Sequence, residues 1–237
     1  MKTAVVTGGT RGIGKSISEM LLKNGYRVFA VYCENDACAM EFKNTHNGEM
    51  LEIIKCDISD GKNVEETFKK IGNVDLLVNN AGIADINLLT DLSDERIERI
   101  ISVNLTGAIF TTKAVLPYMV NQKCGNIINI SSMWGEVGAS CEAVYSAAKA
   151  GLIGFTKAMA KEVGLSGILV NCITAGVIMT EMNKNLDEET INSLREETPL
   201  NKIGTPDDVA NAVEYLISEK ASFITGEVLK VNGGLVI

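Results

Sequence analysis

Three residues whose types and spacing suit acid–base chemistry lie near the middle of the chain. Tyr145 and Lys149 are four residues apart, and Ser132 precedes the tyrosine by thirteen. In a helix, positions four apart share one face, so the ammonium group of Lys149 would lie near the phenol of Tyr145. A nearby positive charge favours the phenolate, and we expect the pKa of Tyr145 to fall from about 10 toward neutrality. Such a tyrosine suits an enzyme that moves a proton on and off a carbonyl or alcohol oxygen.

The composition is ordinary for a soluble globular protein and disfavours several classes of partner. The 237 residues suit one α/β domain, and 46% of them are hydrophobic while 22% are charged. The formal net charge of −8 argues against nucleic-acid and membrane-surface binding, since both need basic patches. No run reaches the length of a membrane span, and the first residues lack a signal-peptide pattern, so we expect a cytoplasmic protein.

The possible metal ligands are scattered along the chain. Six cysteines occur without a C-x-x-C pair, and His46 is the one histidine. Zinc sites need clustered ligands at short spacing, so we predict no metal site. We interpret the cysteines as reduced, mostly buried thiols and His46 as a solvated loop residue.

Short apolar runs alternate with longer amphipathic segments from one end of the chain to the other. The runs that predict strands are 3–7, 27–32, 51–55, 74–78, 126–131, 168–173 and 227–231. The segments that predict helices are 12–24, 35–45, 60–70, 93–122 (two helices, broken around 104–107), 143–163, 181–195 and 206–218. This alternation predicts one α/β domain over 1–237, in which a doubly wound, seven-stranded parallel sheet carries helices on both faces. Ligands then bind at the carboxyl ends of the strands.

A glycine-rich segment after the first strand predicts an anion site at a helix N-terminus, and two motifs fit it. Gly9-x-x-x-x-Gly14-Lys15-Ser16 matches the nucleoside-triphosphate P-loop. Gly8-x-x-x-Gly12-x-Gly14 matches a dinucleotide-binding loop. A P-loop enzyme also needs an acidic residue after a second apolar strand to hold magnesium, and only Asp57 is a weak candidate for that role. The dinucleotide interpretation is therefore favoured, and the P-loop hydrolase remains as an alternative.

Over essentially its whole length, the chain resembles a short-chain dehydrogenase/reductase, a single-domain protein with a Rossmann-type fold. The matching elements, in order, are Thr7-Gly8-x-x-x-Gly12-x-Gly14, Asp57, Asn79-Asn80-Ala81-Gly82, Asn104, Ser132, Tyr145-x-x-x-Lys149 and Val231-Asn-Gly-Gly234. Within the family it is most similar to the 3-oxoacyl-[acyl-carrier-protein] reductases, with acetoacetyl-CoA reductases as near neighbours. One departure is Ala175-Gly176, where the family usually has Pro-Gly; we expect it to affect the rigidity of that loop more than the chemistry.

The resemblance implies a role for each of four catalytic residues. Tyr145 would be the general acid, and Lys149 would lower its pKa and hold the nicotinamide ribose. Ser132 would donate a hydrogen bond to the carbonyl oxygen, where negative charge develops. Asn104, at the break between two helices, would position a water that links Lys149 to solvent.

The resemblance also implies a set of cofactor contacts. They are Gly8, Thr10, Arg11, Gly12, Ile13, Gly14, Tyr32, Cys33, Asp57, Ile58, Asn80, Ala81, Gly82, Tyr145, Lys149, Ile178 and Thr180. Members that prefer NADH carry an aspartate at the end of the second strand, where this chain has Tyr32 followed by Cys33. Because Arg11 can pair with a 2′-phosphate, we predict NADPH over NADH, with Glu34 as the main feature against it.

The expected substrate is a 3-oxoacyl thioester of acyl-carrier protein, with a coenzyme A thioester or another ketone as the alternative. We predict a mobile lid over about 181–204 and an apolar set of Met133, Trp134, Val137 and Met182 that lines either the substrate pocket or the core of the lid. An acidic carrier protein needs a basic docking surface; Lys123 provides one expected cation, but Ser166 and Gly167 occupy the other position. The family usually forms homotetramers through helices near 107–122 and 143–163.

Overall fold

Seven parallel strands form one sheet in the order β3-β2-β1-β4-β5-β6-β7. The structure is a computed structural model that describes residues 1–181 and 187–237. The strands are β1 (Thr3–Thr7), β2 (Arg27–Tyr32), β3 (Leu51–Lys55), β4 (Leu76–Asn79), β5 (Gly125–Ser132), β6 (Ile168–Ala175) and β7 (Val228–Val231). The strand order reverses between β1 and β4, and this switch point opens a crevice at the carboxyl edge of the sheet.

Helices cover both faces of the sheet, as the sequence predicts. They are α1 (Gly12–Lys23), α2 (Asp36–Thr45), α3 (Gly61–Ile71), α4 (Asp94–Ile101), α5 (Gly107–Gln122), α6 (Trp134–Val137), α7 (Ala143–Val163), α8 (Glu188–Glu197) and α9 (Pro206–Ile217). A π-helical segment, Ser102–Thr106, joins α4 to α5 at the predicted break. The predicted fold class is confirmed, and the predicted bounds of α7 agree with the structure.

The largest difference from the predicted elements lies in the segment that we predicted to be a lid. The sequence predicts a helix over 181–195, whereas α8 begins at Glu188, with Asp187 as its N-cap, and ends at Glu197. The Asp187 carboxylate accepts a hydrogen bond from the backbone N–H of Thr190 at 2.8 Å, and this cap sets the start of the helix. Met182, which was assigned to the apolar set, lies outside the described residues, as does the segment 182–186.

Two hydrophobic layers sandwich the sheet, because successive side chains of a strand point to opposite faces. Ala4 and Val6 of β1 pack into the layer under α1 and α9, and Val5 packs into the layer under α3, α5 and α7. The strands are apolar on both faces, as a buried parallel sheet requires. This sandwich fixes the carboxyl ends of the strands, from which the predicted site residues project.

The helical stretch Asp94–Gln122 is long and apolar enough, by length and composition, to cross a membrane. In the structure it packs on the molecule itself: α5 contacts α3, β4 and β5, and the π-helical segment contacts α7. Its mean hydropathy of 1.3 and its 44% burial are equally typical of a core helix that keeps one face outward. A membrane role therefore gains little support from this stretch.

A buried hydrogen-bond network ties the sheet to the helices that carry the predicted catalytic residues. Asn79 Nδ2 donates to Asn129 Oδ1 at 2.9 Å and to Thr112 Oγ1 at 3.1 Å, and Thr111 Oγ1 donates to Asn79 Oδ1 at 2.6 Å. Asn129 Nδ2 then donates to Thr156 Oγ1 on α7 at 2.9 Å. Every member of the network is buried. Such a network fixes the position of α5 and α7 on the sheet, because a shift of either helix would leave a buried polar group without its hydrogen-bond partner.

Replacing Thr156 with valine tests this network. The variant keeps the shape of the side chain but leaves a buried N–H of Asn129 without its acceptor, so we expect a loss of about 1–3 kcal/mol in the free energy of unfolding. Urea unfolding followed by circular dichroism measures the change. Thr90→Val, at an exposed threonine, is the control and should stay within about 0.5 kcal/mol of the wild type. Equal behaviour of the two variants would contradict a structural role for the network.

Candidate active site

The predicted site residues converge at the carboxyl edge of the sheet. The glycine segment follows β1, Tyr32 and Cys33 end β2, Asp57 and Ile58 follow β3, Asn80–Gly82 follow β4, Ser132 ends β5, and Ile178 and Thr180 follow β6. Tyr145 and Lys149 lie in the first turns of α7, beside the end of β5. The structure therefore gathers at one edge residues that the sequence spreads over more than 170 positions.

The glycine segment after β1 forms a tight turn against the segment after β4. Gly8 has φ +64°, which favours glycine, and a Cβ on Gly14 would lie 2.1 Å from the carbonyl oxygen of Gly8. Asn80 Nδ2 donates to the carbonyl oxygens of Thr7 at 2.9 Å and Gly8 at 3.2 Å, and so locks the two segments together. Within the described part of the chain no side chain caps the start of α1, so its first backbone N–H groups are available to an anionic ligand.

Thr7 is a residue that the site prediction omitted although the motif contains it. Its hydroxyl oxygen accepts hydrogen bonds from the backbone N–H groups of Asn80 and Ala81, both at 3.0 Å. It is completely buried at the end of β1. A hydroxyl in this place holds the segment after β4 in the bent path that brings Gly82 to the predicted catalytic residues.

Lys149 is a buried cation with very few partners. Its side chain is 4% exposed, and Nζ donates to the carbonyl oxygen of Ile130 at 2.9 Å. Burial penalises the charged form and lowers the pKa of Lys149 to about 8. The Ser131 hydroxyl donates to the backbone carbonyl of Lys149 at 2.9 Å and anchors this turn of α7 to β5. The ammonium group is thus aimed into the crevice without a carboxylate to neutralise it among the described residues.

The expected acidification of Tyr145 is wrong for the chain itself. Lys149 Nζ lies 5.6 Å from the centre of the Tyr145 ring, as the helical spacing predicts. Burial nevertheless raises the pKa of Tyr145 to about 12; a hydrogen bond with Ser132 opposes this rise, and the charge of Glu142 adds to it. The cost of desolvating a phenolate outweighs a cation at this distance. Tyr145 therefore keeps its proton at neutral pH and is a donor, not a base.

Asn104 projects from the π-helical segment, a local geometry that is frequent at functional sites. Its Nδ2 donates to the carbonyl oxygens of Ile83 at 2.7 Å and Ile100 at 2.9 Å. Its Oδ1 is buried and has no hydrogen-bond partner among residues 1–181 and 187–237. A Cβ on Gly82 would lie 2.7 Å from this oxygen and 3.4 Å from Lys149 Nζ, so both polar atoms face the same small space. A buried acceptor next to a buried donor suits a bridging water, as predicted for Asn104.

Comparison with known proteins agrees with this geometry. A family model described as Enoyl-(Acyl carrier protein) reductase matches residues 8–236. The 3-oxoacyl-[acyl-carrier-protein] reductase FabG of Vibrio harveyi is 41% identical over 239 residues, which cover 99% of this chain and 97% of that protein. The FabG of Escherichia coli is also 41% identical, with the same coverage, and an uncharacterized oxidoreductase of Bacillus subtilis, YmfI, is 36% identical over 237 residues.

The chain belongs to the short-chain dehydrogenase/reductase family. It is accordingly an oxidoreductase that acts on a ketone or alcohol.

The P-loop alternative is wrong, because the structure turns its two diagnostic side chains away from the glycine turn. Lys15 Nζ lies 3.9 Å from Glu19 and over the ring of Phe42, on the flank of α1. The hydroxyl of Ser16 is hydrogen-bonded to Asp207 of α9. Neither side chain is placed to hold a triphosphate or its magnesium ion.

The residues of this short-chain dehydrogenase/reductase fit a nicotinamide dinucleotide. The close-packed glycine turn and the uncapped start of α1 provide a place for a pyrophosphate. At the other end of the crevice, the buried Asn104 Oδ1 and the buried Lys149 ammonium face the space beside Gly82. The donors of Lys149 suit ribose hydroxyl groups, which was the predicted role. The set of polar groups at the two ends of the crevice matches the phosphate and ribose chemistry of such a cofactor.

Arg99, which sequence reasoning missed, organises the predicted adenosine end. Its Nη1 donates to Asp57 Oδ2 at 2.8 Å and to Ser59 Oγ at 2.5 Å, and it also lies beside the thiol of Cys33. Asp57 Oδ1 accepts from the backbone N–H and the hydroxyl of Ser59. The carboxylate of Asp57 is thus shared between its own loop and the end of α4. The only sequence signal was a cation in the last turn of a predicted helix, and cations at that position are common on helices without any function.

Residues on the predicted substrate side differ in their exposure. Met133 is buried in the core, whereas Val137 is 60% exposed and Trp134 is half-buried. Met133 thus belongs to the scaffold, whereas the side chains of Trp134 and Val137 are accessible at the surface of α6. The turn at Ala175-Gly176 is held by backbone bonds, since Met133 N–H donates to the Ala175 carbonyl and Gly176 N–H to the Val231 carbonyl, both at 2.9 Å. These bonds fix the turn without the proline that the family usually carries.

The cysteine and histidine predictions had mixed outcomes. All six thiols are free, but only Cys56 and Cys172 are buried, and Cys124 is exposed, so the expectation of mostly buried thiols is wrong. His46 caps the C-terminus of α2, is half-buried and packs edge-on against Phe42. No group of three or more potential metal ligands occurs among the described residues 1–181 and 187–237.

Gly82→Ala tests whether the space between Asn104 and Lys149 matters. The new methyl group would press on Asn104 Oδ1, whose amide is held by two hydrogen bonds, so either the side chain or the segment after β4 must shift. We expect the kcat/KM of the oxidoreductase reaction to fall by about 10- to 100-fold, with an unchanged circular dichroism spectrum. Gly154→Ala is the control, because nothing lies within 4 Å of its new methyl group. Full activity of Gly82→Ala would show that this space is not used.

Proposed function

We propose that the chain catalyses the NADPH-dependent reduction of a 3-oxoacyl thioester to the 3-hydroxyacyl thioester in fatty acid biosynthesis. The observation that carries the proposal is a protonated, half-buried phenol, Tyr145, hydrogen-bonded to Ser132 and next to the buried cation Lys149. This arrangement suits proton donation to a carbonyl oxygen. The printed names of several relatives that are about 41% identical over nearly the whole chain support the same reaction.

Each catalytic side chain has a distinct task in this proposal. Tyr145 donates its phenol proton to the carbonyl oxygen as the carbonyl carbon is reduced. Ser132 Oγ accepts the backbone N–H of Trp134 at 3.2 Å, which leaves its own proton for the phenol or the substrate oxygen. A bound nicotinamide supplies the hydride.

Lys149 and Asn104 restore the proton in the proposed mechanism. The positive charge of Lys149 stabilises the phenolate that Tyr145 leaves behind, although at 5.6 Å it does not create a phenolate beforehand. The unpartnered Oδ1 of Asn104 accepts from a water in the space beside Gly82, and this water connects Lys149 to solvent. The depressed pKa of Lys149, about 8, suits a group that passes a proton near neutral pH.

The experiment that tests this function is a substrate panel assayed with NADPH. It contains one 3-oxoacyl chain as the carrier-protein thioester and as the coenzyme A thioester, and the matching enoyl thioester, because the matched family model is described by the enoyl reaction. We expect reduction of both 3-oxoacyl forms and none of the enoyl thioester. Reduction of the enoyl thioester alone would overturn the proposal.

Tyr145→Phe identifies the acid in the same assay. It removes only the hydroxyl group, so we expect kcat to fall by at least about 100-fold while the affinity for NADPH, measured by fluorescence titration, stays within about 3-fold. Tyr215→Phe, on the outer side of α9, is the matched control and should behave as the wild type. Turnover that survives in Tyr145→Phe would refute its role as the acid.

Several features at the end of β2 support NADPH as the cofactor. Arg11 is paired with Glu181 at 3.3 Å, but both side chains are about half exposed, so a phosphate can displace this weak pair. The nearest acid on α2, Asp36, is neutralised by Lys55, whose Nζ lies 2.7 Å away, and is hydrogen-bonded by Tyr32. Glu34 is exposed. Arg11, which is held only by this weak pair, therefore favours a 2′-phosphate over a free ribose hydroxyl.

Arg11→Gln separates the two cofactors. Removing the guanidinium should weaken NADPH binding by about 10-fold and leave NADH binding within about 2-fold, because only NADPH carries the 2′-phosphate. Fluorescence titration of each cofactor measures the dissociation constants. Arg27→Gln, which breaks a pair with Glu52 at the opposite end of β2, is the control. An equal loss for both cofactors would contradict the assignment of Arg11.

The identity of the thioester carrier is part of the proposal. Acyl-carrier protein is the proposed carrier, because Lys123 is exposed at the end of α5 and can pair with an acidic protein. Coenzyme A is the alternative, because Ser166 and Gly167 add no second cation.

We further propose a cytoplasmic homotetramer that binds neither nucleic acid nor membranes. The family resemblance supports the homotetramer, and the net charge of −8 disfavours polyanions and anionic lipid surfaces.

A further inference from the structure

Glu142 is a titratable residue close in sequence to the proposed acid Tyr145, and it has no role in the proposed mechanism. It is the N-cap residue of α7 and comes three positions before Tyr145. Aspartate is one of the residues whose side chain commonly accepts a backbone N–H bond at an N-cap, whereas the longer side chain of Glu142 makes no such bond. No hydrogen bond or ion pair of this side chain occurs in the described parts of the chain, which end at 181 and resume at 187.

The place of Glu142 is unfavourable for an unpaired carboxylate. The residue is half-buried, and burial alone raises the pKa of its carboxyl group. Among the described residues, no cation of α4 or of the first turns of α7 is free to neutralise it, since each has another partner, and the acid of α6 is paired as well. On α4, Arg96 pairs with Asp85 at 2.5 Å and Arg99 with Asp57 at 2.8 Å. On α7, Lys149 donates to the Ile130 carbonyl oxygen at 2.9 Å, and on α6, Glu136 pairs with Lys230 at 3.0 Å.

The charge of Glu142 acts on the position where the substrate reacts. Residues three apart on a helix are neighbours, with Cβ atoms about 5–6 Å apart. Among the charges around the phenol, Glu142 is the one that disfavours its ionised form. Its carboxyl oxygens are not among the buried, unpartnered polar atoms of the described residues, so they keep contact with solvent at the start of α7.

We propose that Glu142 is a specificity-determining residue, whose carboxylate admits neutral 3-oxoacyl thioesters to the reacting position and rejects free 3-oxo acids. This inference rests on the proposed reduction of a carbonyl group at Tyr145. In a 3-oxo acid, a single methylene group separates the carboxylate from the keto carbon. When the keto oxygen meets Tyr145, that second carboxylate lies within a few Å of Glu142, and the two like charges repel in a partly desolvated site. A thioester carries no charge at this position and is not repelled.

The same charge has a second measurable effect on the reaction. A negative charge near the phenol stabilises the protonated form of Tyr145, so the residue remains an acid to higher pH. Removing the charge lowers the pKa of the phenol. The basic limb of the pH profile of kcat/KM for reduction should then move to lower pH, because the acid loses its proton earlier. A purely structural role for Glu142 would not move this limb.

The experiment compares acetoacetate with a neutral analogue, S-acetoacetyl-N-acetylcysteamine, as substrates of the complete protein with NADPH. Three proteins are assayed at pH 8: the wild type, Glu142→Gln and Glu162→Gln. Glu162 lies at the other end of α7 and is exposed, so its substitution removes the same charge far from Tyr145. We expect Glu142→Gln to raise the ratio of kcat/KM for acetoacetate to that for the thioester by about 10-fold or more, and Glu162→Gln to leave it unchanged.

The outcomes separate this inference from the proposed function. If the wild type reduces the neutral thioester but Glu142→Gln leaves both the substrate ratio and the basic limb unchanged, the inference on Glu142 fails and the proposed function stands. If the wild type binds NADPH but reduces neither the neutral thioester nor the substrates of the panel, the proposed function itself is refuted. A loss of all activity in Glu142→Gln is checked with Glu142→Asp, which keeps the charge. Recovery of the low acetoacetate ratio in that variant supports the inference, and a high ratio overturns it.

Discussion

The burial of one ammonium group is the constraint on which the rest of the site depends. Lys149 is 4% exposed, and among the described residues the hydrogen-bond partner of its Nζ is a single carbonyl oxygen. Such a group costs free energy, and the buried polar network that pins α5 and α7 to the sheet holds the helix that carries it in place. Because the pKa of Lys149 falls from 10.5 to about 8, the unfolded chain holds this proton when the folded chain has released it. Between these two values the contribution of Lys149 to stability rises with pH.

The protonation of Tyr145 is decided by desolvation of its phenolate and not by the neighbouring cation. From the helical spacing alone, an adjacent cation should make Tyr145 unusually acidic. In the structure the loss of solvation exceeds the attraction of a cation 5.6 Å from the ring centre, and the charge of Glu142 acts in the same direction as burial. The phenol therefore begins the reaction protonated. Lys149 stabilises the phenolate after the proton has left. In the next step of the proposed mechanism its ammonium group exchanges a proton with a water in the space shared with Asn104 and Gly82.

Much of this architecture was predictable from the sequence, because its signals are local. Alternating apolar runs and amphipathic segments predict the parallel sheet, and glycine spacing predicts the turn after β1. Asn104 at a break between two helices, and Ser132 at a strand end, follow from the same patterns once the family resemblance is seen. The start of α8 was predicted seven residues too early, since the polar segment before it has helical composition and only the Asp187 cap marks the boundary.

The features that the sequence did not predict depend on distances across the fold. Arg99 meets Asp57 from a helix 42 positions later, and no spacing rule connects a last-turn arginine to a loop after β3. The pKa values of Tyr145 and Lys149 depend on burial, which a motif does not report. Glu142 could not be singled out from the sequence, because a glutamate before a helix is usually solvated. Its half-burial without a side-chain partner among the described residues is visible only in the structure.

The most direct test of the account is an NMR titration of the lysine side chains, with ¹³C at Cε, between pH 6 and 11. The Lys149→Met variant assigns the resonance of Lys149 by its loss. We predict one lysine that titrates near pH 8, absent from the variant and perturbed by saturating NADPH, while the exposed lysines titrate near the usual value of about 10.4. A spectrum in which every lysine of the wild type titrates near 10.4, with no response to NADPH, would contradict the buried cation and the site built around it.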